Sequence, residues 1–215
     1  MKKITAIFLA LMIVLSLAAC AGEKELSETN STGPSQTGAN EDLISAGSEP
    51  GSEPEGGKIL VACFSATNNT KEIAQKLADG LDADLYEIVP VQPYTDGDLD
   101  YGNSGSRTSL EMDDPESRPA ISGSVENMEQ YDVVFIGYPI WWGEAPRIMS
   151  TFIESYDFSG KTLVAFCTSA SSGFGSSDSA LRSAAGGATW LDGCRFSAGT
   201  SSEDVLAWAN GLGIQ

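Results

Sequence analysis

From residue 58 onwards, short apolar runs alternate with segments in which apolar residues recur every three or four positions. Runs of five or six mostly apolar residues are typical of strands that are buried on both faces of a sheet. They predict four strands, at residues 59–64, 85–89, 133–137 and 163–167. A fifth strand is expected near residues 188–196, where Asp192-Gly193 interrupts the apolar pattern.

Helical spacing is clearest after the first and third strands. The first predicted helix starts near Thr70, and its apolar stripe is Ile73, Ala74, Leu77, Ala78 and Leu81. The second begins near Pro146, which suits a first helical turn, and buries Ile148, Met149, Phe152, Ile153 and Tyr156. A last helix is expected after Ser202, and weaker ones near residues 125–130 and 178–184.

Strands that alternate with helices predict an α/β fold in which a five-stranded parallel sheet is doubly wound, with helices on both faces. The first strand, helix and second strand span about thirty residues, the size of a right-handed parallel crossover. In such sheets, ligands bind beyond the carboxyl ends of the strands, where the strand order reverses. The loops after the first, third and fourth strands are therefore expected to meet at one edge.

Residues 91–121 are polar, contain three prolines and show little helical pattern. A long irregular segment in a compact domain is usually functional or disordered. Two interpretations stay open for Tyr94, Tyr101 and Arg107: they fold over a ligand, or they decorate a surface loop.

The N-terminal residues form a pattern of their own. Lys2 and Lys3 precede an apolar segment, Ile4 to Leu17, which is shorter than the roughly 20 residues that a membrane-spanning helix needs. The sequence Leu17-Ala18-Ala19-Cys20 resembles a bacterial lipobox. This resemblance implies that residues 1–19 are a signal peptide, cleaved before Cys20, and that Cys20 carries a diacylglycerol anchor outside the cytoplasm.

Residues 20–57 are rich in Gly, Ser, Glu and Pro, and Gly-Ser-Glu-Pro occurs twice in succession, at 47–50 and 51–54. Without apolar periodicity no core can form, so this stretch is expected to be a disordered acidic linker. Residues 58–215 are then one domain, large enough for a substantial core.

Charge and composition exclude several functions. The formal net charge is −18, so we expect no nucleic-acid binding. The absence of histidine excludes His-based triads and the commonest metal sites, and no metal is expected. Cys63 and Cys167 end apolar runs and are interpreted as small buried hydrophobes, although a bridge between them stays open.

The first loop runs Ser65-Ala66-Thr67-Asn68-Asn69-Thr70 between the first strand and its helix. The first amides of a helix lack intrahelical partners, and the helix dipole makes that end positive, so hydroxyls here can complete an anion site. The loop resembles the phosphate loop of flavodoxins, Thr/Ser-x-Thr-Gly-x-Thr, with Asn68 in place of Gly. The alternative is a turn that merely caps a helix.

Two further loops carry the same resemblance. After the third strand comes Gly137-Tyr138-Pro139-Ile140-Trp141-Trp142-Gly143, which is similar to the second flavin loop of bacterial flavodoxin-like proteins. After the fourth strand, Cys167-Thr168-Ser169 resembles their Cys-Thr-Ser loop. The resemblance implies a flavodoxin-like fold that binds FMN noncovalently. Its expected contacts in these two loops are Pro139, Ile140, Trp141, Trp142, Gly143, Thr168, Ser169, Gly173 and Gly175.

The resemblance implies an FMN-binding electron carrier with an unidentified redox partner. Two alternatives stay open: an FMN-dependent reductase of the NAD(P)H:quinone type, and a nonenzymatic lipoprotein that binds a phosphorylated metabolite. Trp141 and Trp142 favour flavin, since a flat apolar ring stacks on indole. We also expect acidic surroundings without nearby cations to disfavour the reduced flavin anion and to lower its potential.

Overall fold

A computed structural model describes residues 57–214 of the chain. The predicted signal peptide, the lipid attachment at Cys20 and all but the last residue of the predicted linker lie outside the described residues. The strands are β1 (Lys58–Cys63), β2 (Asp84–Glu87), β3 (Val89–Pro90), β4 (Ile121–Ser122), β5 (Tyr131–Pro139), β6 (Thr162–Thr168), β7 (Thr189–Trp190) and β8 (Cys194–Phe196). The helices are α1 (Asn69–Leu81), α2 (Arg107–Asp113), α3 (Arg147–Glu154), α4 (Ser179–Ala184) and α5 (Ser202–Asn210), with a 3-10 turn at Met128–Gln130.

The main sheet is parallel throughout, in the order β2-β1-β5-β6, with β7 and β8 both paired to β6. β7 pairs with the start of β6 and β8 with its end, so the two short strands share the fifth position. The predicted doubly wound sheet is confirmed, including the interrupted fifth strand. Gly193 lies at the interruption, where an added Cβ would overlap the Phe174 ring and lie 2.7 Å from the Ala165 carbonyl oxygen.

Each face of the sheet has its own core, because side chains along β1 alternate between the two faces. Leu60, Ala62 and Phe64 pack towards α3 and α4, and Val61 and Cys63 pack towards α1 and α5. The stripes predicted for the first two helices are buried as expected, except that Leu81 and Tyr156 are only partly buried. Helices therefore cover both faces, which is the predicted arrangement.

The structure differs from the prediction around the second strand. β2 ends at Glu87, and Val89–Pro90 turns away to pair antiparallel with β4 in a separate two-stranded sheet. The polar segment 91–121 contains a helix, α2, that its sequence indicates only weakly. The helix is held at its start by the Ser106 hydroxyl, which accepts a hydrogen bond from the Ser109 N–H, and by an ion pair between Arg107 and Glu111.

Cys63 and Cys167 are fully buried free thiols, so they act as small apolar residues and do not form the bridge left open above. Burial raises the pKa of each thiol to about 12, which makes both inert at neutral pH. Between residues 57 and 214, no helix combines the length and apolar character that crossing a bilayer requires. The same residues include no cluster of His, Cys, Asp or Glu suited to a metal ion.

Candidate functional site

A cavity of about 590 Å³ opens at the carboxyl edge of the sheet, where the three predicted loops meet. Its walls come from all three loops, from the segment before α2 and from the loop after β8. The lining residues are Ala66, Thr67, Asn69, Leu99, Tyr101, Pro139, Ile140, Trp141, Thr168, Ser169, Ala170, Ser197 and Ala198. No charged side chain is among them, so the wall is apolar with interspersed hydroxyls and amides.

The first loop presents a row of free backbone donors at the start of α1. Phe64 N–H bonds to the Gly137 carbonyl, and Glu72 N–H bonds to the Asn68 carbonyl. Between these two, the N–H groups of residues 65–71 have no acceptor among the residues that the structure describes. Free amides at the N-terminus of a helix are the kind of backbone donors that bind anions in proteins, and here there are seven in succession.

Asn68 adopts the left-handed conformation that bends this loop, with φ 68°. Its side chain makes no capping hydrogen bond, so the residue serves the turn through its backbone. The Ser65 Oγ is buried and has no hydrogen-bond partner within residues 57–214. An unpaired buried hydroxyl costs free energy, which a bound acceptor would offset. Lys71 is engaged elsewhere, 2.6 Å from the Glu87 carboxylate.

The second loop is a tight hairpin turn from Trp141 to Glu144. The Trp141 N–H donates to the Glu144 carbonyl, and the Glu144 N–H donates to the Trp141 carbonyl. Both central residues, Trp142 and Gly143, have positive φ, at 48° and 87°. This arrangement corresponds to a type I′ turn. A bulky residue is rarely found in the left-handed region, so Trp142 is held there against its backbone preference.

The two tryptophans have different roles. Trp141 is 2 % exposed and packs edge-on against Phe64 and Tyr94, so it belongs to the core and also forms part of the cavity wall. Trp142 is 48 % exposed and lies against Tyr101, with ring centroids 4.7 Å apart. Of these two adjacent side chains, only Trp141 therefore points inward.

Residues before and within α2 support the wall. The Tyr94 phenol donates to Glu111 over 2.6 Å, and the Arg107 guanidinium lies 4.0 Å from the Tyr94 ring centroid. Burial, followed by the Glu111 hydrogen bond, raises the pKa of the Tyr94 phenol. Of the three residues whose role was left open, Tyr101 lines the cavity, Tyr94 packs behind Trp141, and Arg107 holds Tyr94.

Arg147 anchors this segment to the hairpin turn. Its guanidinium donates to the backbone carbonyls of Met112 and Asp114 and to the Glu144 carboxylate. The side chain is almost fully buried, although α3 begins at this residue. Segment 91–121 is therefore fixed against the second loop, and it is not a loose surface loop.

The third loop is tied to the first and to β8. The Thr70 and Thr168 hydroxyls are 2.7 Å apart and buried. The Ser169 N–H donates to the Phe196 carbonyl, and the Arg195 guanidinium donates to the carbonyls of Ser169 and Ala170. The expectation of no cation near the site is therefore wrong, because Arg195 lies directly behind the cavity wall.

The predicted site residues divide into two groups. Ala66, Thr67, Asn69, Pro139, Ile140, Trp141, Thr168 and Ser169 line the cavity. Ser65, Asn68, Thr70, Trp142, Gly143, Gly173 and Gly175 shape the same loops without lining it. Gly175 and Gly143 have positive φ, whereas Gly173 does not, and an added Cβ at any of the three meets open space.

Four of the lining residues were not predicted from the sequence: Leu99, Ala170, Ser197 and Ala198. Ser197 and Ala198 directly follow β8, so the rule that ligands bind beyond the carboxyl ends of strands could have found them. Leu99 and Ala170 carry no polar group that would single them out.

A parallel sheet in this order, with a row of free amides at its first crossover and an aromatic cavity beside it, defines the doubly wound class of nucleotide-binding proteins. The family model for flavodoxin matches residues 58–212, so the chain belongs to the flavodoxin family. Among the curated proteins, none matches the chain.

Solved structures give the same assignment. A protein of Bacteroides eggerthii DSM 20697, assigned as a flavoprotein, is 47 % identical over 74 % of this chain and 99 % of its own, with a TM-score of 0.70. A similar protein of Bacteroides uniformis ATCC 8492 is 44 % identical over 73 % and 99 %, with a TM-score of 0.69. A flavoprotein of Lactobacillus acidophilus NCFM, solved in complex with FMN, shares the fold at 21 % identity over 71 % and 98 %, with a TM-score of 0.54.

Proposed function

We propose that the protein is an FMN-binding electron carrier, held outside the cytoplasmic membrane by a lipid on Cys20. Flavodoxin family membership supports FMN as the cofactor. The observation that carries the proposal is the row of free amides at residues 65–71 beside a cavity walled by Trp141. The free amides suit a phosphate group, which accepts hydrogen bonds, and the cavity beside Trp141 suits a flat aromatic ring.

The residues present fit the phosphate end of FMN. The amides of residues 65–71 and the start of the helix dipole can bind a dianion without any Lys or Arg. The buried Ser65 hydroxyl, unpaired within the described residues, and the Thr67 hydroxyl add neutral donors. This donor set favours a phosphate, because each group can donate a hydrogen bond to an anionic oxygen.

The cavity walls fit the ring end. Trp141, Ile140 and Leu99 offer apolar surface, and Tyr101 offers an aromatic face at the rim. On the opposite loop, the Thr168 and Ser169 hydroxyls are paired with Thr70 and with the Ser172 carbonyl. The Ala170 N–H has no acceptor among residues 57–214, so it can meet a hydrogen-bonding edge. When bound, FMN supplies the redox chemistry, and these residues orient the ring and exclude water from it.

The chemistry of the wall supports a carrier over a reductase of organic substrates. The lining residues include no carboxylate, lysine or arginine, and the chain has no histidine. A proton donor for a bound substrate would have to be the Tyr101 phenol, whose pKa is raised by burial, against a smaller opposing effect from a hydrogen bond with Trp141. Electron transfer alone needs no such group.

The proposed location rests on Lys2, Lys3, the apolar segment and Cys20 of the predicted lipobox. In this proposal, residues 20–57 act as the tether between the lipid and the flavin domain. The redox partner lies outside the cytoplasm, and with a formal net charge of −18 a basic partner would associate faster than an acidic one.

FMN binding to the purified full chain tests the proposal. We expect flavin fluorescence to be quenched by FMN binding, and riboflavin, which lacks the phosphate, to bind at least about tenfold more weakly, since charge-assisted hydrogen bonds contribute about 1.5–3 kcal/mol each. A chain that ignores FMN but binds another phosphorylated metabolite contradicts the proposal. Rapid oxidation of NADH or NADPH by the FMN-loaded chain favours the reductase instead of the carrier.

For the location, mass spectrometry of membrane fractions after expression of the full chain in a bacterium provides the test. A mature N-terminus at Cys20 with a mass increase from acylation supports the anchor. A Cys20→Ala variant is expected to lose both the modification and membrane retention. An unprocessed N-terminus in the cytoplasmic fraction contradicts the proposed location.

A further inference from the structure

Arg195 has an unusual environment for a cation in so acidic a chain. One of its guanidinium nitrogens donates to the backbone carbonyls of Ser169 and Ala170, at 2.6 and 3.0 Å. Its Nε is buried and has no partner within residues 57–214. The guanidinium is therefore held by neutral groups only.

Other arginines of the domain are neutralised. Arg107, Arg118, Arg147 and Arg182 each form an ion pair with a carboxylate at 2.9 Å or less. Among the described residues, no carboxylate lies within ion-pair distance of Arg195. Its positive charge is thus uncompensated locally, which matters because the rest of the domain is strongly acidic.

This charge lies one hydrogen bond behind the cavity. Ser169 and Ala170, whose carbonyls Arg195 contacts, both line the cavity. Partial burial weakens solvent screening, so a charge at this position acts on a cavity occupant more strongly than an exposed surface charge would. A hydrogen bond that is donated to the carbonyl of a peptide group also polarises this group. The N–H of the same group then becomes a stronger hydrogen-bond donor.

We propose that Arg195 is an electrostatic tuning residue that stabilises the reduced, anionic flavin and raises the reduction potential of the bound cofactor. The proposal rests on the proposed FMN function. Reduction adds two electrons and one proton to the ring, leaving one negative charge, and a nearby cation favours that charged form over the neutral oxidised ring. This effect opposes that of the acidic surface.

Potentials of FMN-loaded full chains test the proposal, with dithionite as the electron source and a reference dye at equilibrium. In Arg195→Gln, we expect the affinity for reduced FMN to fall about tenfold more than that for oxidised FMN, which lowers a two-electron potential by ~30 mV. Arg195→Lys keeps the charge and is expected to retain most of the wild-type potential. Lys58→Gln removes a cation that bonds a neutral side chain at the amino end of β1, and it should leave the potential unchanged.

The outcomes are separable. Equal potentials for wild type and Arg195→Gln overturn the proposal, and so does an equal loss in the Lys and Gln variants, which would indicate loop geometry instead of charge. FMN affinity, measured first for each chain, distinguishes a failure of the proposed function from a failure of this inference. A wild-type chain that does not bind FMN refutes the proposed function together with this inference, whereas binding with equal potentials refutes the inference alone.

Discussion

The hydroxyls of Thr70 and Thr168 lie 2.7 Å apart, and their buried hydrogen bond joins the first turn of α1 to the end of β6. Two of the three loops around the cavity are therefore fixed to each other without any ligand. Thr70 is 1 % and Thr168 is 5 % exposed, so neither hydroxyl can turn to water if the other is removed.

This relationship predicts a strongly non-additive pair of substitutions. Thr70→Val leaves the Thr168 hydroxyl buried and unpaired, which we expect to lower the free energy of unfolding by about 1–3 kcal/mol. The double variant Thr70→Val/Thr168→Val removes both groups, and its stability is expected to return most of the way to wild type. Urea unfolding without FMN measures the cycle, and additive losses would contradict it.

Gly143 and Gly173 form a matched pair that isolates backbone conformation. An added Cβ meets nothing within 4 Å at either position, but only Gly143 has a positive φ, of 87°. Gly143→Ala is expected to cost about 1–2 kcal/mol from left-handed strain alone. Gly173→Ala is expected to be neutral or stabilising by up to about 1 kcal/mol, since it reduces the entropy of the unfolded chain. Thermal unfolding of both variants checks the difference.

Tyr94 and Tyr131 offer a second matched pair. Each phenol donates to a carboxylate, Tyr94 to Glu111 at 2.6 Å and Tyr131 to Asp84 at 2.7 Å. Substitution by Phe is expected to cost about 1.5–3 kcal/mol in either case. Only Tyr94 packs against Trp141 of the cavity wall, whereas Tyr131 starts β5 at the opposite edge of the sheet.

We therefore expect Tyr94→Phe, but not Tyr131→Phe, to weaken FMN binding severalfold, because the hydrogen bond keeps the Tyr94 ring against Trp141. Fluorescence titration of both variants and the wild type provides the comparison. Equal FMN affinities for the two variants would show that the Tyr94 phenol has no part in shaping the cavity.

Alkaline pH should destabilise the fold. Burial raises the pKa of the Cys63 and Cys167 thiols to about 12, and burial, followed by the Asp84 hydrogen bond, raises that of Tyr131 to about 12. In an unfolded chain these groups lose their protons at about pH 8.5 to 10. The folded state then binds more protons, so stability is fully present below about pH 8.5 and falls towards pH 12.

Each buried thiol contributes up to about 1.4 kcal/mol per pH unit to that fall. The variant Cys63→Ala/Cys167→Ala is expected to have a shallower decline of unfolding free energy between pH 9 and 12, and a lower stability at pH 7 from lost packing. Chemical denaturation at a series of pH values measures both. An unchanged slope in the double variant would contradict the assignment to these thiols.

Apolar periodicity was sufficient for the parts of the fold that bury continuous runs. β1, β5 and β6 carry such runs, and the helices α1 and α3 carry clean stripes, so the parallel sheet and both covered faces follow from local pattern. The left-handed turn at Asn68 was also predictable, because Asn tolerates that conformation where the flavodoxin pattern has Gly.

Segment 91–121 could not be predicted in the same way, because its order depends on groups distant in sequence. Arg147 reaches back to the carbonyls of Met112 and Asp114, and no periodicity within the segment encodes that contact. Arg195 is a similar case, since its position behind Ser169 follows from the pairing of β8 with β6. Long-range contacts of single polar side chains are what local sequence patterns leave out.

The different surroundings of the four tryptophans have a spectroscopic consequence. Trp141 forms part of the cavity wall and Trp142 lies against Tyr101 at its rim, whereas Trp208 belongs to the core on the other face and Trp190 lies near the start of β6. A chromophore that entered the cavity would accept excitation energy first from the adjacent indoles. Intrinsic emission from this pair therefore reports occupancy directly, without any label attached to the chain.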